Sequence, residues 1–353
     1  MSVDDTPDLS LLRRVLVTKL RHHGDVLLAA PVLGALGRHL PGAEIDALVY
    51  HDTREMLSGH PALSQLHTTP RKSSLAEDWR LIRALRERKY ELLVHLTTNP
   101  RGAMLARLLR PAMAVGLDHK RTFYRNSFTH LYSNVQGNRR HTVENNLDAL
   151  RRIGFAIDED DKRLELIPGE SAEHAAAAHL RRLGLEAGKF ILIHPTSRWL
   201  FKCWPVAKVA ALVEQLRERK HAILFTSGPD QPEMAMLSRI QARLASPIPS
   251  LAGELTLKEL AALIARARLF IGVDSAPMHI AAAVATPVVV LFGPSGEIDW
   301  GPWRVASRVI ASSHTCRPCG QDGCGGGKRS ECLETLPVDR VLAAALEMLE
   351  AER

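Results

Sequence analysis

A short apolar run, a polar turn and an amphipathic stretch follow one another twice over in this chain, and that rhythm constrains the fold more than any other feature. Arg14-Val-Leu-Val-Thr-Lys-Leu20 reads as a buried strand, bounded by the polar Arg21-His22-His23-Gly24-Asp25. Residues 26–36 then read as a helix with Pro31 inside it as a kink, and Ile45–Tyr50 as the next strand. A helix over 75–88 and a strand over 92–96 continue the series. Strand, turn, helix, strand is the unit of an open parallel sheet covered by helices.

The second half restarts the pattern. Phe190–His194 is a strand, and a helix over 205–219 carries Pro205 near its first turn. The strand 221–225 runs into Ser227-Gly228-Pro229. Thr256-Leu-Lys-Glu259 has the spacing of a capping box, opening a helix over 257–267. A strand at 269–273, a helix at 277–285 and a strand at 288–292 follow. Pro168-Gly169-Glu170-Ser171 lies between the halves as a linker. The 353 residues exceed one ordinary core and suit two domains of roughly 150–170 residues. The expected fold class is therefore α/β: two Rossmann-like, doubly wound domains facing a central cleft. The first spans 1–168 and the second 169–336, and the last helix, 338–350, can pack on either.

At 46% hydrophobic and 24% charged residues, the composition is that of a globular chain, with disorder expected only in the polar lead around Asp4, Asp5, Pro7 and Asp8. No apolar run approaches the roughly 18 residues of a spanning helix, and no basic segment with an apolar stretch opens the chain as a secretory leader. A cytoplasmic location is expected. The net charge of +7 calls for an anionic partner. Nucleic acid is disfavoured, because aromatic content is only 5%, no aromatics alternate with basic residues, and no zinc-finger or RNA-recognition signature is present.

In open α/β sheets ligands bind beyond the carboxyl ends of strands, beside helix N-termini. Three loops occupy such places. In His22-His23-Gly24-Asp25, Asp25 is either a helix cap or a general base; one glycine where a dinucleotide fingerprint needs three counts against a nicotinamide enzyme. In His194–Pro205, the hydroxyls of Thr196 and Ser197 with Arg198 and Lys202 suit a diphosphate, the alternative being a solvated basic loop. In Gly272–Ile280, Asp274 ends a strand, and the following helix N-terminus with Ser275 and His279 suits a phosphate. There too, Asp274 as a cap and His279 as a packing residue are the plain alternatives. Taken together, the last two loops describe a nucleotide diphosphate pocket.

With these loops in place the chain resembles glycosyltransferase family 9, the bacterial lipopolysaccharide heptosyltransferases. The likeness rests on Lys19-Leu-Arg-His-His-Gly-Asp25 and the residues up to Leu33, on Thr196 to Pro205, and on Gly272 to Pro294. Cys316-Arg-Pro-Cys-Gly-Gln-Asp-Gly-Cys324, followed by Glu331-Cys-Leu333, resembles the heptosyltransferase III branch. The resemblance implies a GT-B fold, with acceptor on the first domain and ADP-heptose on the second. It implies an inverting, metal-independent transfer without a cofactor. Asp25 would take the acceptor proton and Lys202 would neutralise the departing ADP. Thr196, Ser197, Ser275 and His279 would hold phosphates, Asp230 (or Glu233) the ribose, and Leu255 the adenine. It also implies that the segment 337–353 crosses back to the first domain.

Three further features stand beside the resemblance. Asp158-Glu-Asp160 matches a metal-binding D-x-D pattern but lies away from any strand end, so it reads as a solvated turn. Between His119 and Val143, Lys120, Arg121, Arg125, Arg139 and Arg140 stand with three histidines and no acid. That stretch is either a solvated basic face or a surface for the phosphorylated lipopolysaccharide core and the anionic inner membrane, on which the protein would be peripheral. Cys316, Cys319, Cys324 and Cys332 invite a zinc reading, yet only the first pair has a structural-zinc spacing, so reduced cysteines in a Gly-rich loop are expected. The rivals are a catalytically silent relative binding nucleotide or lipid core, a transferase or epimerase using another nucleotide sugar, and an oxidoreductase. The presence of both Asp25 and Lys202 argues against the first.

Overall fold

The computed structural model describes Leu9, residues 12–133 and residues 140–351; the polar lead and Arg139 lie outside the described residues. The chain divides between Ile167 and Pro168 into two compact units.

The first unit runs β1 (Arg14–Lys19), α1 (His23–Leu27), α2 (Ala30–His39), β2 (Glu44–Tyr50), β3 (Gln65–Thr69), α3 (Leu75–Glu87), β4 (Leu92–His95), α4 (Pro100–Leu109), β5 (Met113–Leu117), α5 (Thr122–Arg125), β6 (His130–Tyr132) and α6 (Thr142–Arg151). Its six strands lie in the order β3-β2-β1-β4-β5-β6, every pair parallel. Val15 of β1 stands between Ile45 and Leu92. β1 is buried on both faces, as its unbroken apolar run requires. The order reverses between β1 and β4, which makes their carboxyl ends the switch point. One face of the sheet is covered by α3, α4 and α5; their Leu85, Ala103, Leu105, Ala106 and Tyr124, with Phe128 just beyond α5, share a core with Leu16, Leu48 and Leu93.

The second unit runs α7 (Glu170–Leu183), β7 (Phe190–His194), α8 (Val206–Glu218), β8 (Ala222–Phe225), α9 (Gln231–Gln241), α10 (Leu257–Ile264), β9 (Leu269–Val273), α11 (Ala276–Ala283), β10 (Val288–Phe292), α12 (Glu297–Trp300), β11 (Ser307–Ala311), α13 (Glu331–Glu334) and α14 (Val338–Glu350). Its order is β11-β10-β9-β7-β8, again all parallel. Ser250 adds a single parallel bridge to Phe225 on the free edge of β8. The second sheet thus repeats the winding of the first, with one strand reduced to a residue. Its switch point lies between β7 and β9.

One expectation is corrected. Residues 26–36 form no single kinked helix: α1 ends at Leu27 and α2 restarts at Ala30, with Pro31 in the first turn of the new helix. There its missing N–H costs nothing and its fixed φ favours the helix. The terminal helix packs in the second unit. Val341, Leu342, Ala344, Ala345, Met348 and Leu349 of α14 are buried in the second unit's core with Val289, Leu291 and Ile310, and Arg268 bonds the Leu349 carbonyl.

Candidate active site

Beyond β7 the chain enters a buried stretch in which polar groups are held by polar partners, as burial demands. Thr196 and Ser197 are buried. The Thr196 hydroxyl donates to Glu233 Oε2 at 2.7 Å, and Ser197 Oγ accepts from the Trp199 amide at 3.3 Å. His194 Nδ1 shares a 2.9 Å hydrogen bond with the Thr226 hydroxyl, and burial lowers its pKa to about 4, so the ring is neutral at pH 7. Glu233 sits in the first turn of α9 and is buried. Burial raises its pKa, opposed by the bonds from Thr196 and the Gly228 amide. A Cβ at Gly228 would lie 2.8 Å from the Glu233 carboxylate, so glycine lets that carboxylate tuck against the turn. Asp230, by contrast, is exposed, just before α9.

Lys202 closes the loop. Its Nζ lies 2.6 Å from Asp274 Oδ2 and 5.2 Å from the centre of the Trp199 ring. Asp274 follows β9 directly, so β7's loop and β9's end meet at the switch point, 72 residues apart in sequence. Ser275 begins α11, but its hydroxyl turns to the Val273 carbonyl at 3.2 Å and makes no side-chain cap. In that first turn Pro277 carries no N–H and the Met278 N–H donates to the Ser275 carbonyl at 3.1 Å, so the Ala276 N–H is the amide placed to meet an anion. His279 is buried within α11, and Leu255 is half-buried just before α10. The arrangement is a buried set of donors and one lysine beside a helix N-terminus, suited to a diphosphate. Asp274 reaches it through Lys202.

In the first unit, Asp25 is not the cap of α1. His22 holds the cap position without a side-chain bond, and Asp25 lies in the first turn with Oδ1 3.5 Å from Arg21 Nε. Its helix is braced from below. Lys19 Nζ donates to the Leu96 carbonyl at 3.0 Å and to Asn146 Oδ1 at 2.9 Å. Asn146 in turn donates to the Leu28 carbonyl at 2.8 Å, at the end of α1. Burial lowers the Lys19 pKa to about 8, and the charge of Asp25 acts against that fall. This role of Lys19 and Asn146 was not legible in the sequence; a lysine closing an apolar strand was the available signal.

The basic stretch separates into parts. A cavity of about 260 Å³ is lined by Thr98, Pro100, Ala103, His119, Arg121, Phe123 and Tyr124, beyond the ends of β4 and β5. Lys120 and Arg121 have no ion-pair partner among the described residues, while Arg125 pairs with Asp118 at 3.2 Å. Arg140 is paired with acids of α6: Asp148 grips it through both oxygens at 2.7 and 3.1 Å, with Glu144 at 3.5 Å. Its charge is neutralised by α6. Acids four and eight residues after an arginine are a signal the sequence did offer.

A model of "Glycosyltransferase family 9 (heptosyltransferase)" matches residues 78–328. The chain belongs to glycosyltransferase family 9. It is 40% identical over 296 residues to "Lipopolysaccharide heptosyltransferase 3" of Escherichia coli, covering 80% of this chain and 84% of that protein. Among solved structures, the family 9 glycosyl transferase of Veillonella parvula superposes with a TM-score of 0.83 at 22% identity, covering 96% and 97% of the two chains. The E. coli heptosyltransferase WaaC, solved with ADP, gives 0.74 at 20% identity, covering 95% and 99%. The fold of this family 9 glycosyltransferase is GT-B.

The remaining motifs of this family 9 chain are structural in their contacts. Asp158, Glu159 and Asp160 are exposed, a solvated turn as expected, and the turn also anchors α2: Arg38 bonds Asp158 at 2.8 Å and the buried Asp161, and His39 reaches Asp161 at 2.9 Å. All five cysteines are free. Cys332 packs in the second unit's core, where burial raises its thiol pKa, and Cys316, Cys319 and Cys324 are its electrostatic neighbours. Among the described residues no three ligand side chains are gathered to hold a metal ion, and no helix is long and apolar enough to cross a membrane.

Proposed function

We propose that this glycosyltransferase moves heptose from ADP-L-glycero-D-manno-heptose to the phosphorylated inner core of lipopolysaccharide, in one inverting displacement that needs no metal or cofactor. The observation that carries the reading is Lys202, held 2.6 Å from Asp274 beside buried hydroxyls and the start of α11. Support also comes from the relatives: the E. coli protein is a lipopolysaccharide heptosyltransferase, and WaaC was solved with ADP.

In the proposed reaction Asp25 takes the proton of the acceptor hydroxyl as its oxygen attacks the anomeric carbon. The bond from that carbon to the diphosphate oxygen breaks, and ADP leaves from the opposite face. Lys202 exchanges Asp274 for the diphosphate and meets the charge growing on it. A cation fixed before reaction is effective because nothing must reorganise as charge develops. Thr196, Ser197, Ser275 and His279 hold the phosphates, and Leu255 lies against the adenine. For the ribose, the buried place of Glu233 beside Thr196 favours it over the exposed Asp230. His119, Lys120, Arg121 and Arg125 receive the acceptor's phosphates. Arg140 drops out of that set. The enzyme works as a peripheral protein on the cytoplasmic face of the inner membrane.

Isothermal titration of metal-free protein with ADP, UDP, GDP and NAD tests the donor. Selective ADP binding, weakened in Lys202→Ala, is expected. Preference for UDP or GDP would overturn the donor, and binding of NAD alone would overturn the transferase chemistry.

A further inference from the structure

The helices over one face of the first sheet carry an apolar surface that the fold leaves uncovered. Of the residues of α3, Leu85 is buried, and Leu81 and Ile82 pack half-buried on the core. On its outer side Leu75 is 88% exposed and Trp79 70%. Leu75, Trp79, Arg83 and Arg86 follow at helical spacing, so one exposed stripe begins apolar and ends basic. The neighbouring α4, tied to α3 through Arg101 and Asp78 at 3.6 Å, exposes Met104 and Leu108 one turn apart. The next helix, α5, exposes Phe123, with the Arg107 guanidinium 4.3 Å above its ring. Three adjacent helices thus each present bare apolar side chains.

The charge around them is predominantly positive. Between Arg71 and Arg125 stand thirteen Lys and Arg against five Asp and Glu, an excess as large as that of the whole chain. Lys72, Arg80, Arg86, Lys120 and Arg121 are exposed and have no ion-pair partner among the described residues. Arg83, Arg101 and Arg125 pair with Glu87, Asp78 and Asp118; the five unpaired cations are in excess of these and share the face with exposed tryptophan, leucine and phenylalanine. That is the composition of an interfacial helix face, with apolar groups at headgroup depth and cations on anionic lipid.

We infer that the α3–α4–α5 face docks on an anionic lipid bilayer, with Leu75 and Trp79 entering the interface and the surrounding Lys and Arg on its headgroups. The inference rests on the proposed acceptor and gives it a geometry. The cavity at His119 and Arg121 is bounded by Pro100 and Ala103 of α4 and Phe123 of α5, so it lies along the docked face. A lipid-anchored acceptor then presents its sugars to that cavity while its acyl chains stay in the membrane.

Flotation of the full chain with vesicles of phosphatidylethanolamine and phosphatidylglycerol, against phosphatidylcholine alone, tests this. Wild type is expected to float with the anionic vesicles and stay behind with the neutral ones. Leu75→Ser/Trp79→Ser and Lys72→Glu/Arg80→Glu/Arg86→Glu should each lose about tenfold or more in partitioning, with thermal midpoint and ADP affinity unchanged. Absence of wild-type binding, or binding that both variants retain, would overturn the docking. So would a concentration-dependent dimer in sedimentation velocity that Leu75→Ser/Trp79→Ser abolishes, since the face would then belong to a second copy. Docking and function fail separately: transfer to a delipidated core saccharide without vesicle binding rejects only the docking, and vesicle binding without transfer rejects only the function.

Discussion

Replacing Lys202 by methionine separates its two roles. The side chains of Lys202 and Asp274 are 17% and 8% exposed, so removing the ammonium strands a nearly buried carboxylate. Breaking a fully buried pair costs about 3–5 kcal/mol; with the exposure that remains here, about 2–3 kcal/mol is expected. At roughly 2–4 °C per kcal/mol for a unit of this size, the second unit should melt about 4–12 °C lower. Adding Asp274→Asn removes the stranded charge and should restore stability to within about 1 kcal/mol, the coupling that a double-mutant cycle reads. Transfer should behave otherwise. Loss of a preorganised charge on the leaving group costs on the order of 10²–10³ in rate, and the double variant should recover none of it. Calorimetry and single-turnover assays on the three variants check both halves. If Asp274→Asn alone weakens ADP binding as much as Lys202→Met, the carboxylate itself holds the donor and the reasoning fails. Recovery of transfer in the double variant would refute the role of Lys202.

Asp25→Asn should lower transfer by about 10²–10⁴ while leaving ADP affinity, measured by titration, at the wild-type value; an unimpaired rate would remove Asp25 as the base. Arg121→Ala should raise the acceptor KM several-fold without lowering the thermal midpoint. Arg140→Ala should do the reverse, because its bonds to Asp148 are internal; steady-state kinetics and melting on both variants decide. Acid should destabilise the fold. Burial lowers the pKa of His194 to about 4 and of His95 to about 3, below the unfolded value. Between about pH 6.5 and those values the unfolded chain binds more protons, so stability falls as pH falls. For His194 the loss reaches about 3 kcal/mol if the whole shift is realised. Melting between pH 7 and pH 4.5 reads it, and a flat profile would contradict the neutral, buried rings.

For the central strands, what the sequence made legible follows burial, although the buried β5 was not read from it. The central strands β1, β7, β9 and β10 are covered on both faces, so they appear as unbroken apolar runs. The Thr256 capping box is local chemistry and forms as written, with both reciprocal bonds in place. The edge strands β3 and β11 escaped notice, because their exposed positions leave Gln-Leu-His-Thr-Thr and Ser-Arg-Val-Ile-Ala without an apolar run. In the site, the residue types and their strand ends were legible, since the sheet topology dictates where ligands go. Their pairings were not. The bond from Thr196 to Glu233 and the ion pair of Lys202 with Asp274 join residues 37 and 72 positions apart, and only the order of β7, β8 and β9 brings them together. The bracing of α1 by Lys19 and Asn146 spans 127 positions and was equally out of reach.

The most direct measurement is mass spectrometry of a heptose-deficient lipopolysaccharide core after incubation with the purified enzyme and ADP-heptose. The account predicts a mass gain of one heptose with release of one ADP, in wild type but not in Asp25→Asn or Lys202→Met. An acceptor that gains no mass while ADP-heptose is consumed, or an equal gain in both variants, would contradict it.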